Sequence, residues 1–415
     1  MGKAKPFSIG KREVWRAYKR VKVKQGGAGV DGQTVEEFEE DLSNNLYKLW
    51  NRMSSGSYFP SPVRRVEIPK PDGRLRPLGI PTVADRVAQM VVKQHLEPQL
   101  EPYFHTDSYG YRPQKSAVDA VGATRARCWR YNWAIDLDIK GFFDNIDHDL
   151  LMLAVRKHTD CKWILLYIQR WLEVSVQLPD GSLIERDKGT PQGGVISPLL
   201  ANLFLHYVFD KWMEKKCPSI PFERYADDII CHCVSEQQAQ FVLAAISKRM
   251  VECKLELHPE KTRIVYCKDD RRKGSYPHEK FDFLGFEFRP RPSMDKHGKR
   301  FVGFSPAVSS KAQKAMRQKI RSWNLIRRTN ETIEDFAQMY NPIIRGWINY
   351  YGSFCKSVLY RVFHYLDRVL SRWAKRKYKR IKRRRRRAMH WVKWRIVRQP
   401  DLFVHWRFVY AWARR

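Results

Sequence analysis

The chain has eight cysteines but no Cys-x-x-Cys pair, so neither a zinc ribbon nor a disulfide framework is signalled. It contains no apolar run near the roughly 18 residues a membrane span needs, and it is charged from Lys3 onward, which argues against both a span and a secretory leader. Acids are nearly missing from its last tenth: from Arg372 to Arg415 the single Asp401 faces eighteen Lys and Arg. A disordered basic tail would also be poor in aromatics. Here Trp373, Tyr378, Trp391, Trp394, Phe403, Trp406 and Trp412 interleave with Lys382 and the run Arg383, Arg384, Arg385, Arg386 and Arg387. That favours a folded, phosphate-contacting surface over a loose arm.

What is present sets the class. The 415 residues are 43% hydrophobic, enough for two to three packed domains. Against 44 Asp and Glu stand 78 Lys and Arg, a formal charge of +34. So large an excess suits a protein that neutralises phosphates and makes nucleic acid the expected partner. A bacterial cytoplasm, in association with the nucleoid, is the expected location.

The most informative motif is Tyr225-Ala226-Asp227-Asp228, followed by apolar Ile229-Ile230-Cys231. A charged pair between two apolar runs predicts the tip of a β-hairpin, from which both acids can lean into one cleft. Carboxylates about 4 Å apart repel by roughly 4 kcal/mol at an effective dielectric of about 20. A divalent cation offsets that repulsion, the logic of a two-metal phosphoryl-transfer site. The bland alternative is a solvated acidic turn. Cys231-His232-Cys233 resembles a ligand set, but alternation along a strand splits the histidine from the cysteines and favours packing.

Other elements follow from periodicity. Helical patterning over about 9–55 is broken by the Gly-rich stretch 26–32, which is expected to be a loop. Strand character at 63–68 runs through a Lys-Pro-Asp-Gly turn at 70–73 into a basic hairpin. Trp133, Ile135, Leu137 and Ile139 alternate with acids, placing Asp136 and Asp138 on one face of a strand. Asp147 is expected to cap a helix, Ser197 another, and Ser235 with Gln238 to form a capping box. Leu255 to Leu257 is expected as a strand, and Phe281 to Phe288 as an aromatic hairpin with a bulge at Gly285. A basic helical region begins after a break near residue 300.

The motifs Arg76-Pro77-Leu78-Gly79-Ile80-Pro81, Tyr109-Gly110-Tyr111-Arg112-Pro113, Asp138 to Ile146, Thr190-Pro191-Gln192-Gly193-Gly194, the double-Asp hairpin and Asn341 to Trp347 occur in one order. In that order the chain resembles the reverse transcriptases and maturases encoded by group II introns, over nearly its whole length. The resemblance implies an α+β right-hand polymerase, with fingers and an antiparallel-sheet palm over 1–300, including an N-terminal extension at 1–60. A helical thumb or maturase domain over 301–370 and a basic DNA-binding tail over 371–415 complete it. It implies Asp138, Asp227 and Asp228, with the backbone of Ile139, as ligands of two Mg²⁺ ions. Asp136 matches no family ligand. Lys261 falls where related polymerases place a general acid. Lys70 and Arg76 look like triphosphate clamps, Phe143 like the gate that excludes a 2′-hydroxyl, and Gln192, Tyr225 and Ala226 like the rest of the nucleotide pocket. Arg112, and Phe283, Leu284 and Gly285 as a primer grip, are implied primer and template contacts. The implied partners are an intron RNA, an RNA template with a DNA primer, target DNA and dNTPs, with monomer and dimer both open. The family's zinc-binding endonuclease module has no counterpart here, so a compact form is expected. Two rivals are a splicing-only RNA-binding maturase and a domesticated relative used in repair or phage defence.

Overall fold

The computed structural model describes residues 5–69, 75–294, 297–381 and 385–410. Lys70 and the turn at 70–73, Lys382, Arg383, Arg384 and Trp412 lie outside the described residues, and only the backbone of Arg385 is described. Backbone proximity divides the chain into two units, 1–120 with 135–264 and 121–134 with 265–415.

The first unit opens on helix Lys11–Lys24, whose Val14, Ala17, Tyr18 and Val21 recur at helical spacing and are buried. The Gly-rich break that follows is a loop, as expected. Strands β1 (Val63–Pro69) and β2 (Leu75–Ile80) pair antiparallel. Helix Val83–Leu100, capped by the Thr82 side chain, is buried along its first half, from Asp85 to Val92. Strand β3 (Trp133–Asp138) comes next in the chain. Short strands β4 (Val176–Gln177) and β5 (Leu183–Ile184) then extend the first hairpin into a sheet of order β2-β1-β4-β5.

The sheet that carries the acids has order β6-β7-β3-β8, from β6 (Phe222–Tyr225), β7 (Asp228–Cys233) and β8 (Arg263–Tyr266). Helix Glu236–Glu252 packs on β7 and buries Val242, Ile246 and Met250. Asp147 and Ser235 cap their helices as expected, each accepting a hydrogen bond from the backbone three residues on, but the box expected at Ser235 is not closed, since Gln238 Oε1 accepts from the Val234 amide instead of that of Ser235. Ser197 does not cap. It is the first residue of helix Ser197–Leu205, and its hydroxyl accepts from Thr190 Oγ1 at 2.7 Å, tying the loop to the helix. Leu255 to Leu257 forms no strand either; Leu257 makes one isolated bridge to Ile139, because that stretch must turn toward Lys261.

The second unit holds a sheet of order β11-β10-β9, from β9 (Phe281–Phe283), β10 (Phe286–Met294) and β11 (Arg300–Val308). No bulge occurs at Gly285. Phe283 pairs directly with Phe286, and the intervening Leu284 and Gly285 take φ of 50° and 80°, a tight two-residue turn. Helices Ser310–Ser322, Ile333–Tyr351, Lys356–Lys377, Arg385–Arg398 and Val404–Val409 enclose one core. Val392, Ile396, Phe403 and Trp406, from the stretch expected as a separate tail, are buried in that core with Phe336, Phe363 and Trp373. Asp367 holds helix Val404–Val409 down, accepting hydrogen bonds from Trp406 Nε1 at 2.9 Å and the Tyr410 hydroxyl at 2.7 Å.

Candidate active site

All three acids of the expected triad lie at strand ends. Asp138 ends β3, Asp228 begins β7, and Asp227 sits in the two-residue turn Ala226–Asp227 that joins β6 to β7. Since β3 and β7 are neighbours, the three carboxylates gather at one edge of the sheet. Ala226 pays for this turn with φ of 56°, a left-handed conformation that disfavours an L-residue by about 1 kcal/mol.

What holds the turn is a buried network. Arg224, fully buried on β6, donates Nη1 to the Ala226 carbonyl at 3.2 Å and to Asn202 Oδ1 at 3.0 Å. Its Nε and Nη2 form a bidentate pair with Asp210, at 2.7 and 2.6 Å. Asp210 ends a single π-helical turn, His206–Asp210, a distortion that swings it under the strand. Burial alone would raise the Asp210 carboxyl, but the Arg224 charge and hydrogen bonds, with His206 close by, hold it below its ordinary range. From the other side Gly110 presses on the turn: a Cβ there would stand 2.4 Å from the Ala226 nitrogen, so only glycine fits. Arg224, Asp210, Asn202 and Gly110 were not singled out by sequence reasoning. The available signal was a pair of charges, Glu223 and Arg224, set between Phe222 and Tyr225 in so short a strand.

Arg112, expected to touch nucleic acid, is committed elsewhere. Its guanidinium pairs with Glu101 at 2.7 Å and donates to the carbonyls of His105 and Ser108 at 2.6 and 2.8 Å. Its side chain is 7% exposed. This corrects the expectation, because a guanidinium so occupied has no donors for phosphate. It secures instead the segment that carries Ser108, Tyr109 and Gly110 alongside β6, where the Tyr109 amide donates to the Arg224 carbonyl at 2.8 Å.

Electrostatics at the acids are unbalanced. Asp228 opens to the cleft, yet protein crowds it on most sides; restricted hydration first, then the charges of Asp227 and Asp138, push its carboxyl up to about 7. Asp227 is raised as well, by burial and then by Asp138, with Arg76 and Lys261 opposing. The Lys261 ammonium is hydrogen-bonded to Asp138 Oδ2. Its loop is fixed by the His258 amide, which donates to the Asp138 carbonyl at 2.7 Å. With Asp138 facing Lys261, no three His, Cys, Asp or Glu side chains among the described residues converge closely enough to hold an ion. The donor set itself fits a hard divalent cation: it is carboxylate oxygen throughout, and two of the acids carry the raised proton affinity that a nearby cation would reverse. Ile139 has a buried side chain, so only its carbonyl could join them. Asp136 lies on β3, in its interior.

Several of the residues expected to meet the nucleotide are joined by hydrogen bonds. Arg76 on β2 is exposed and donates Nε to Gln192 Oε1 at 2.8 Å. Gln192 donates Nε2 to Asp144 Oδ2 at 3.1 Å. Phe143 is 8% exposed, edge-on to the deeper Phe142 with ring centres 5.4 Å apart. Tyr225 lies beside Tyr111, rings 6.2 Å apart, and Ala226 is buried beneath. Phe283, Leu284 and Gly285 belong to the second unit, where the Leu284 carbonyl accepts from the Tyr350 hydroxyl at 2.9 Å. Arg386 and Arg387 are exposed on helix Arg385–Arg398. Cys231 and Cys233 are buried and burial pushes both thiols up, Cys233 to about 12, while His232 is bonded to Glu223 at 2.7 Å; the trio is packing, as expected.

Comparison with known proteins places this geometry. The pattern of the reverse transcriptase (RNA-dependent DNA polymerase) family matches residues 68–288, and that of the group II intron maturase-specific domain matches residues 313–398. Protein YkfC of Escherichia coli K12 is 34% identical, over 58% of this chain and 73% of that protein. The group II intron-encoded protein LtrA of Lactococcus lactis subsp. cremoris is 28% identical, over 81% of this chain and 68% of its own length. Among solved structures, telomerase from Candida albicans aligns with a TM-score of 0.48 at 12% identity, over 92% of this chain and 69% of that one, too distant to argue from. With one pattern covering more than half of its residues and the other following in order, the chain belongs to the reverse transcriptase family as an RNA-directed DNA polymerase of the group II intron reverse transcriptase and maturase kind.

Proposed function

We propose that this polymerase is Mg²⁺-dependent, binds its own group II intron RNA, assists its splicing, and copies it into DNA from a primer in the target. The observation that carries the reading is the gathering of Asp138, Asp227 and Asp228 at one end of the two central strands, with Arg76 near enough to act on Asp227 and bonded to Gln192. When bound, divalent cations lower the pKa of the primer 3′-hydroxyl and neutralise the triphosphate. Asp138, Asp227 and Asp228, with the Ile139 carbonyl, would hold them. Arg76, with Lys70, meets the triphosphate as a fixed charge. Tyr225 and Ala226 face the primer end and the nucleotide. Lys261, already bonded to Asp138, is the group at hand to give a proton to departing pyrophosphate. Phe283, Leu284 and Gly285 grip the primer. The fingers and palm fall within 1–300, and the thumb, which shares its core with the basic stretch after 370, adds contacts to RNA and target DNA. A bacterial cytoplasm fits these partners, and among the described residues no helix is long and apolar enough to cross a membrane.

Primer extension on the cognate intron RNA, run beside splicing and filter binding, tests the reading. DNA synthesis and faster splicing should both appear, and intron RNA should bind better than unrelated RNA of equal length; equal binding would overturn the maturase role. Replacing Arg386 and Arg387 by Gln should lower the slope of log affinity against log salt by roughly two, one per lost phosphate contact. Phe143→Ala should raise ribonucleotide incorporation about tenfold to a hundredfold in single-nucleotide extension, since this reading sets the Phe143 ring against the 2′-hydroxyl and alanine would leave room for it. Unchanged sugar discrimination would remove Phe143 from the gate.

A further inference from the structure

Asp144 lies within a motif already noted, yet no role has been given to it. It follows Phe143 in the short helix Phe142–Asn145, and its carboxylate is exposed. Its hydrogen-bond partner, the Gln192 side chain, stands between two groups that can each play only one part. The Arg76 guanidinium can only donate, and the Asp144 carboxylate can only accept. The amide therefore has one orientation, with Oε1 toward Arg76 at 2.8 Å and Nε2 toward Asp144 at 3.1 Å.

The backbone around Gln192 is pinned to the same two neighbours. The Gly79 amide, on the strand of Arg76, donates to the Gln192 carbonyl at 2.8 Å. The Thr190 amide donates to the Phe143 carbonyl at 2.8 Å, and the Gly189 amide to the Ile146 carbonyl at 2.7 Å. Only the amide orientation is left for a side chain to decide. Because Gln192 takes up Arg76 through Nε, the two terminal nitrogens of the guanidinium stay directed away from it, in the fork geometry that suits phosphate oxygens.

We propose that Asp144 is a positioning residue for the incoming nucleotide: it orients the Gln192 amide, and through it sets the Arg76 guanidinium to receive the triphosphate. The proposal rests on the reading of Arg76 and Gln192 as nucleotide contacts. An asparagine at 144 weakens the constraint: it exchanges the charge-assisted bond for a neutral one and, unlike a carboxylate, offers Gln192 a donor as well as an acceptor, so that Arg76 alone is left to hold the amide in register.

Steady-state primer extension with varied dNTP on Asp144→Asn, Gln192→Ala, Arg76→Ala and the Asp144→Asn/Gln192→Ala double variant tests it. Asp144→Asn should raise KM for every dNTP about tenfold, the scale of one charge-assisted hydrogen bond, with kcat within about twofold. The double variant should be no worse than Gln192→Ala, because the proposal has Asp144 reach Arg76 through that side chain. The melting temperature of Asp144→Asn should match the parent, which excludes a folding defect as the source of the KM change. If Gln192→Ala and Arg76→Ala leave KM unchanged, the nucleotide-pocket reading itself fails. If they raise KM while Asp144→Asn does not, or if the double variant is worse by the product of the singles, the pocket stands and the role of Asp144 is overturned.

Discussion

Asp228→Asn is expected to abolish primer extension, by at least about a thousandfold, and at the same time to make the cation-free protein melt higher than the parent at pH 8. Both effects come from one cause. Restricted hydration and the charges of Asp227 and Asp138 push the Asp228 carboxyl up to about 7, far above its unfolded value. An acid whose folded pKa is raised binds more protons when folded, so its ionisation erodes stability as pH climbs from about 4 through about 7. Asparagine keeps the shape and removes the charge. Melting in chelator at pH 5 and pH 8 should show the two proteins close together at the lower pH and separated at the higher. A variant that melts below the parent at pH 8, or that still extends a primer, would refute the view that this carboxylate is held at the expense of stability for the sake of a cation.

Arg224→Met is expected to be among the most damaging single changes outside the acids. The Arg224 guanidinium and Asp210 are both fully buried and bonded at 2.7 and 2.6 Å. Removing one partner strands the other charge in the interior, at about 3–5 kcal/mol, a large part of the roughly 5–15 kcal/mol by which domains are stable. The Ala226 carbonyl also loses its donor, in a turn already held at positive φ. Pairing Arg224→Met with Asp210→Leu should recover much of the stability, since a buried ion pair can be exchanged for apolar groups. It should not recover activity, because nothing then fixes the Ala226–Asp227 turn. Calorimetry with primer extension separates the two: a single variant that melts within a degree of the parent, or a double variant with full activity, would dismiss the role assigned to this pair. The pair has a pH signature too. Asp210 is held below its unfolded pKa, so its contribution is complete above about pH 4 and is lost as pH falls through the lower folded value.

The three carboxylates, their strands and the hairpin were legible because alternation and turn chemistry are local. Asp138 had to end an alternating strand, and Asp227 and Asp228 had to interrupt an apolar hairpin. The resemblance misjudged Arg112. It implied a contact to primer and template, but Glu101 and two backbone carbonyls had already claimed its donors, and nothing in neighbouring residues announces such a partner. Local reasoning placed a bulge at Gly285, where Leu284 and Gly285 together make the tight turn.

By itself the sequence determined the chemistry available: hard oxygen donors without a thiol or imidazole cluster, a phosphate-seeking surplus of +34, and motifs in an order that resembled one polymerase family. Only the tertiary structure decided which of those groups work together. Arg224 reaches Asp210 across 14 residues, Gln192 reaches Asp144 across 48, and Arg76 reaches Gln192 across 116. Periodicity records which face a side chain takes within its own element. Which element that face meets is set by burial and hydrogen bonding summed over the whole chain, and that sum leaves no mark at any one position.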